Sequence, residues 1–517
     1  MTTTTRPRSQ ARAARDGFAQ LLRAEWTKFR TVRGWTIGLV VALLVIPAFG
    51  LLFAANSFSS CMQGTKEVAC PVPPTGPGGE AVNDKFFFVH QPLTGDGTIT
   101  ARVASLSGTI TYPPPNHDKI VPGNTPWAKA GLMIKEGLEQ GSSYAAVMVT
   151  AKHGVRMQHD FTEDAAGSAS APGGRWLKLS RSGDTITGSE SADGRTWSTV
   201  STVRMDDLPD TVQIGLFVAS PDDMTLTGNS LGGSISTSRL ANATATFDNV
   251  TPSATGEWTR TDVGVTLGPD GHTPHRPGEA TQSGDTFTVT GNGDIAPVTA
   301  DGVRYSSILT GTLAAMIAVT VVAVMYITAE YRRGMIAITM LASPRRHRAI
   351  AAKAVVIGSV TLAGALVATV ATIAVSLPIL RDNGNFILPI SFLTQARIVG
   401  GTAALLAVTA VFALGLGVIF RRSAAAIVTT FALIVLPYIL ATTSLLPTGP
   451  AQWLLRLTPA AAFAVQQSMP SYPHVLTSES PLEGYFPLPA WAGFGVLCIY
   501  AALALGVAIH RLRSRDV

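Results

Sequence analysis

A chain of 517 residues that is 46% hydrophobic and only 14% charged is too apolar on average to be one soluble domain. A net charge of +6 would suit a nucleic-acid binder, but the charges are placed against that reading. In the N-terminus, the 330–353 loop, Arg421–Arg422 and the C-terminal tail, 19 Lys/Arg face 4 acids, whereas residues 57–304 hold 17 against 26. Basic residues gathered beside apolar stretches follow the positive-inside pattern of membrane proteins. They predict both termini in the cytoplasm and residues 57–304 outside, with no nucleic-acid partner.

Residues 1–33 form the cytoplasmic N-terminus. Within it Phe18, Leu21, Leu22, Trp26 and Phe29 share one helical face, flanked by Arg15, Arg23, Lys28, Arg30 and Arg33. This predicts an amphipathic helix in the inner interface, anchored by Trp26, Arg23 and Lys28; the alternative is an inward extension of the first span. The first apolar stretch runs from Gly34 to about Ser60, with the span at 34–56, and contains Pro47, which predicts a kink. Phe53-Ala54-Ala55 resembles a signal-peptide cleavage site, but the 33 residues before the stretch favour an uncleaved span. Cys61 and Cys70 follow in an oxidising compartment and predict a local disulfide, whereas Cys498 reads as a packing residue in the last span. No metal-ligand spacing is present.

Residues 57–304 are polar. From Phe86 to Val250 short runs alternate apolar and polar, as in "TITARVASL", "SYAAVMVTA" and "VQIGLFVAS", between Gly, Pro, Asn and Asp turns. Many short strands at this spacing predict an all-β sandwich, and "SGDT" and "ADGRTW" are hairpin signals. After it, charge-free stretches run over about 305–329, 354–380, 398–420, 423–446 and 489–509. With the first they make six, each holding the roughly 20 residues that cross a bilayer. No charge sits in their cores, which speaks against an ion or proton path. Pro437 predicts a kink in the fifth span, and the short apolar pieces between Leu446 and Pro489 predict interfacial or re-entrant helices.

The loop "AEYRRGMIAITMLASPRRHRAIAAK", Ala329 to Lys353, reads by chemistry alone as a cytoplasmic hairpin broken at Pro344 that docks another protein. Together with "RAEWTKFRTVRGWT" and "LRLTPAAAF" it resembles the membrane permease subunits of bacterial type-2 ATP-binding-cassette exporters, over residues 18–56 and 305–517. That resemblance implies a permease in the bacterial plasma membrane, paired with a second copy or a homologous permease. It also implies a separate ABC ATPase subunit that carries the ATP-Mg and contacts Glu330, Tyr331, Arg332, Gly334 and Met335. The structural alternative is that Glu330 caps a helix or pairs with Arg333. The chain itself shows no cofactor motif: no Gly-Lys dipeptide occurs, so the phosphate-cradling loop is missing and the permease is not expected to be an enzyme.

Inside the insert, "DKFFFVHQPLTGDGTITARV", "PWAKAGLMIKE", "GRWLKLSRSGDTITGSESADGRTW" and "ATATFDNV" resemble a concanavalin A-like (jelly-roll) sandwich module found beside carbohydrate-active enzymes. Its usual opening strands match text that here comes last, "GEWTRTDVG" and "GDTFTVTGNGDI". A circular permutation is one reading of this and a truncated second repeat the other. Glycoside hydrolysis needs two carboxylates about 5–9.5 Å apart. Glu136 and Glu139 would face opposite sides of a strand, and His153, His159 and Asp160 read as exposed polar residues rather than metal ligands. Trp127, Trp176 and Trp197 suit either sugar stacking or core packing, so a glycan partner rests on analogy. The expected molecule is a multi-domain membrane protein with a six-helix domain and a sandwich, acting as an exporter permease. A membrane-anchored glycan-binding or cell-wall-sensing protein is the second reading and a membrane-bound glycosidase the third.

Overall fold

The computed structural model describes residues 17–514, except 64, 113–115, 117, 170–173, 229–233, 266–275, 300, 333, 335–345, 444 and 476–483. The amphipathic helix Phe18–Thr31 ends with Lys28 and Arg30 in its last turn, a favourable placement against the helix dipole. The chain then breaks at Val32, which is extended (φ −87°, ψ 91°), before the first span begins at Arg33. The amphipathic segment is therefore a separate elbow and not an inward extension of the span.

Among the described residues, six helices are long and apolar enough to cross a membrane: Arg33–Asn56, Gly311–Arg332, His347–Asp382, Phe392–Phe420, Ser423–Thr442 and Ala490–Leu512. The second and fourth bury 61% and 72% of their most apolar stretch and the other four a third or less, which places the second and fourth at the bundle's centre. Ser391 caps the fourth span by accepting from the Thr394 N–H, and Arg421 turns the chain at its other end in the left-handed region (φ 56°). The first span stays one helix through Pro47. In the fifth, five residues Phe431–Val435 form a π-turn just before Pro437. A proline N cannot donate to the preceding turn, and a π-turn is one way a helix absorbs that lost bond.

After the fifth span come a helix, Thr448–Leu457, and a 3₁₀ segment, Pro459–Gln466. All eight residues of the 3₁₀ segment are buried, so it re-enters the bundle. Gln466 ties the segment to two spans: its Nε2 donates to Thr312 Oγ1 (2.9 Å) on the second span and to Thr402 Oγ1 (3.1 Å) on the fourth.

The insert is two antiparallel sheets packed face to face. One has seven strands, in the order Glu163–Ala166, Gly154–His159, Tyr144–Thr150, Lys129–Lys135, Thr211–Ala219, Phe86–Thr94 and Thr259–Val263. The other is built on Gly97–Thr111 and Ser234–Pro252, flanked on one side by Arg175–Ser182, Thr185–Ser191 and Ser198–Arg204. On its other side are Thr286–Gly291 and Glu279–Ser283. Alternation does the work: Ile99, Ala101 and Val103 point inward and meet Val89, Leu132, Ile134, Leu177, Leu179 and Phe247 in one core. The late segment completes both sheets. Thr259–Val263 pairs with Phe86–Thr94, Thr286–Gly291 pairs with Ser234–Pro252, and Phe287 and Val289 are buried in the shared core.

Entry and exit of the insert run side by side. Val82–Asp84 pairs with Ile295–Pro297 in a two-stranded stalk. Below it the loop after the third span collects the chain: Asn383 Nδ2 donates to Ala54 O (2.9 Å), Asn385 Nδ2 to Ser57 O (2.7 Å), and Val303 bridges Ile387. Cys61 and Cys70 form a disulfide across a short hairpin at this end.

Candidate functional site

At the end of the bundle opposite the sandwich, three segments meet in a buried ion cluster. The elbow helix supplies Glu25 and Lys28, the second span Tyr326 and Glu330, and the start of the third span Lys353. Lys353 Nζ lies 2.6 Å from both Glu25 Oε2 and Glu330 Oε1. Tyr326 donates to Glu25 Oε2 (2.9 Å), and Lys28 pairs with Glu330. The Tyr326 ring is held edge-on between Phe29 (5.8 Å) and Trp35 (5.0 Å). Two carboxylates face two ammonium groups, so the cluster is neutral as a whole. A buried pair that is balanced and hydrogen-bonded is tolerated, whereas one bereft of a partner costs several kcal/mol. Chemically the arrangement is a three-way clamp: it fixes the elbow and the two helix ends that flank the 330–353 loop.

The loop residues expected at a partner surface divide. Glu330 is fully buried, its carboxylate drawn inward by Lys353 and Lys28 rather than presented. Tyr331 is half-buried, with the Arg421 guanidinium 5.6 Å over its ring. Arg332 and Gly334 are exposed, and Gly334 takes the left-handed φ of +66° that suits glycine. Met335 lies outside the described residues, as does the segment around Pro344.

Of the three expected interfacial anchors, Trp26 is 45% exposed and Arg23 is exposed, but Lys28 turns inward to Glu330. Glu25 went unassigned in the sequence reading although a signal exists. It sits one helical step from Leu21, Leu22 and Phe29, an acid on the apolar stripe, and such a residue must find a buried cation.

The aromatic residues of the sandwich divide too. Trp127 is buried (4% exposed), with His153 stacked on it at 3.9 Å and Arg156 at 5.7 Å, so it offers no sugar platform. Its indole sits outside the sandwich's apolar clusters, among His153, Arg156 and His474, just before the buried strand Lys129–Lys135. Trp176 and Trp197 lie on the outward side of the other sheet, where Lys178 covers the Trp197 ring at 4.4 Å. Glu190 is tied to Ser168 and Arg175. Among the described residues no group of His, Cys, Asp and Glu is placed to hold a metal.

Six spanning helices, a re-entrant segment and a clamped loop root define a multi-pass membrane protein with a β domain between its first two spans. The model of the family described as "ABC-2 family transporter protein" matches residues 127–517, and the chain belongs to that family. It is thus an ABC transporter permease, a membrane transport component and not itself a catalyst. No curated protein matches the chain. A solved structure of a functionally unknown protein from Saccharomyces cerevisiae is similar at 13% identity. The match covers 41% of this chain and 95% of that one at a TM-score of 0.20, too low to inform the fold.

Proposed function

We propose that this permease is the membrane half of a type-2 exporter in a bacterial plasma membrane, driven by a separate ATPase subunit that docks on the 330–353 loop. The permease pairs with a second copy or a homologue, both termini are cytoplasmic, and residues 57–304 form an extracytoplasmic, circularly permuted concanavalin A-like sandwich. Permutation suits this placement: insertion between two neighbouring spans needs an entry and exit close together, as the paired stalk strands are. ATP-Mg belongs to the partner chain.

The observation that carries the reading is the ion cluster. A loop that transmits force from an ATPase needs a stiff root, and Lys353 binds the root's two helices to the elbow through Glu330 and Glu25. The partner's contact surface is then Arg332, Gly334 and Met335 with the Tyr331 edge, while Glu330 is a positioning residue behind it. The test is co-purification of the full permease with a co-expressed ABC ATPase subunit. Arg332→Glu, at an exposed site, is expected to reduce recovery of the ATPase about tenfold or more with the permease's melting temperature unchanged. Full recovery and unchanged ATPase stimulation in Arg332→Glu would remove the loop from the interface.

A further inference from the structure

Beyond the ATPase end, a second contact joins the two halves of the chain. The loop between the re-entrant segment and the sixth span reaches up into the sandwich. Its His474 is 1% exposed, and His474 Nε2 lies 2.8 Å from the carbonyl oxygen of Phe161, in the turn between the strands Gly154–His159 and Glu163–Ala166. A carbonyl only accepts, so the proton is on Nε2. The ring also meets Trp127 edge-on at 6.4 Å and lies 5.9 Å from Tyr472.

We propose that His474 is the pin of a latch that locks the sandwich onto the transport bundle, making the insert a rigid cap that moves with the outer ends of the spans. This holds whether or not the ATPase docks as proposed above.

Four observations support the latch. First, the turn that receives His474 is strained. Asp160 and Phe161 are consecutive non-glycine residues with φ of 46° and 64°. Such residues persist where their surroundings over-determine them, and they gather at sites with a task. Here the surroundings are the fully buried Phe161 ring against Tyr144 (5.0 Å) and the Asp160 N–H bonded to Tyr144 O. The result is a backbone carbonyl aimed at the membrane loop.

Second, the pin is short-wired to the centre of the bundle. Only eight positions separate His474 from Gln466, which bridges the second and fourth spans. Between them Gln467 is held on several sides: its side chain donates to Met469 O (2.8 Å) and accepts from the Phe486 N–H (3.3 Å), and its carbonyl accepts from Arg397 of the fourth span. A shift of the second span against the fourth therefore has little slack before it reaches the sandwich.

Third, the stalk supplies an independent second anchor on the same sheet. Lys135 pairs with Asp84 (2.8 Å, both side chains fully buried), and Lys129 pairs with Asp294 (2.7 Å). Asp84 and Asp294 belong to entry and exit respectively. Two anchors at different points of one sheet stop rotation, which a single tether would permit. Fourth, Leu388 and Met469 of the outer loops pack with Ala81 and Val298 beside the stalk, an apolar seat drawn from four separate parts of the chain.

The experiment uses the full chain in lipid nanodiscs with Cys498→Ser, spin-labelled at Thr199→Cys on the sandwich and Asp382→Cys at the outer end of the third span. Double electron–electron resonance reads the spread of the distance between them. One narrow distribution is expected for the parent. His474→Ala is expected to broaden it at least twofold, and His474→Gln, whose amide keeps an N–H donor, to stay near the parent width. Amide exchange in Gly97–Thr111 serves as the fold control and is expected to be the same in all three. A narrow distribution in His474→Ala would overturn the latch. Equal broadening in His474→Gln and His474→Ala would overturn the hydrogen bond to Phe161 as its pin.

Discussion

Among the described residues, Lys353 is the cation that touches both carboxylates of the ion cluster. Removing it leaves the two buried carboxylates of Glu25 and Glu330 with the partly exposed Lys28 as the remaining ammonium of the cluster among the described residues. Breaking such a buried network costs about 3–5 kcal/mol, much of it the penalty for the charge left behind. We therefore expect Lys353→Ala to lower stability by about that amount in denaturant titration of the detergent-solubilised permease. Glu25→Gln removes one of the opposed charges, so the double variant Glu25→Gln/Lys353→Ala is expected to lose less than the two single losses added together. Strict additivity would show that the three helices do not share one network. The same residues explain what sequence alone missed. Lys28 and Glu330 fall in stretches of mixed charge and read as surface residues. Only the packing of elbow against third span brings Lys353 within reach of both acids, and no local pattern encodes that contact across more than 300 positions.

At the level of elements, strand and helix placement was legible wherever one face meets a core and the other does not. The alternation in Gly97–Thr111 and the elbow stripe are of this kind. The break at Val32 and the re-entry of Pro459–Gln466 follow from short apolar runs that cannot span. What was not legible is partner choice. The segments at 259–263 and 286–291 carry the alternation of strands, but their pairing with opposite sheets depends on the whole sandwich closing. Phe287 is the test of that closure. It is 1% exposed and meets Trp258 edge-on at 5.2 Å, so it joins the two late strands across the core. Truncating a buried Phe costs about 3–5 kcal/mol. Phe287→Ala in the full chain is expected to lower the sandwich's unfolding free energy, read by denaturant titration, by that much. A shift within the roughly 0.5 kcal/mol typical of surface changes would mean that the late hairpin is an appendage rather than part of the core.

On the scale of the whole molecule, the latch places a titratable group between the two halves. Burial disfavours the charged imidazolium of His474 and lowers its pKa below 6.5; the Phe161 carbonyl opposes that shift, as do Asp164 and Asp294, while Lys129 adds to it. Further charged or titratable groups around the ring include Asp160 in the receiving turn, His153 and Arg156 against Trp127, and Tyr472 with Glu80 and Glu163 near it; burial pushes the Tyr472 hydroxyl up to about 12, so it stays neutral here. Nδ1 of His474 has no hydrogen-bond partner among the described residues, so protonation would bury an unpaired donor. When released, the ring titrates near 6.5 and so binds more protons than when docked as pH falls past that value. By linkage, docking is fully favoured above about pH 6.5 and weakens as the pH drops below it toward the docked pKa. We expect the spin-label distance distribution to stay narrow at pH 7.5 and to broaden by pH 5. His474→Gln, with nothing to titrate at that site, is expected to keep the same width at both values. His90 is a control inside the sandwich: its pKa is also lowered by burial, but it bonds Gln213 and Thr261 within the domain and not the membrane loop. Broadening at pH 5 that persists in His474→Gln and disappears in His90→Gln would assign the pH response to sandwich unfolding instead of undocking.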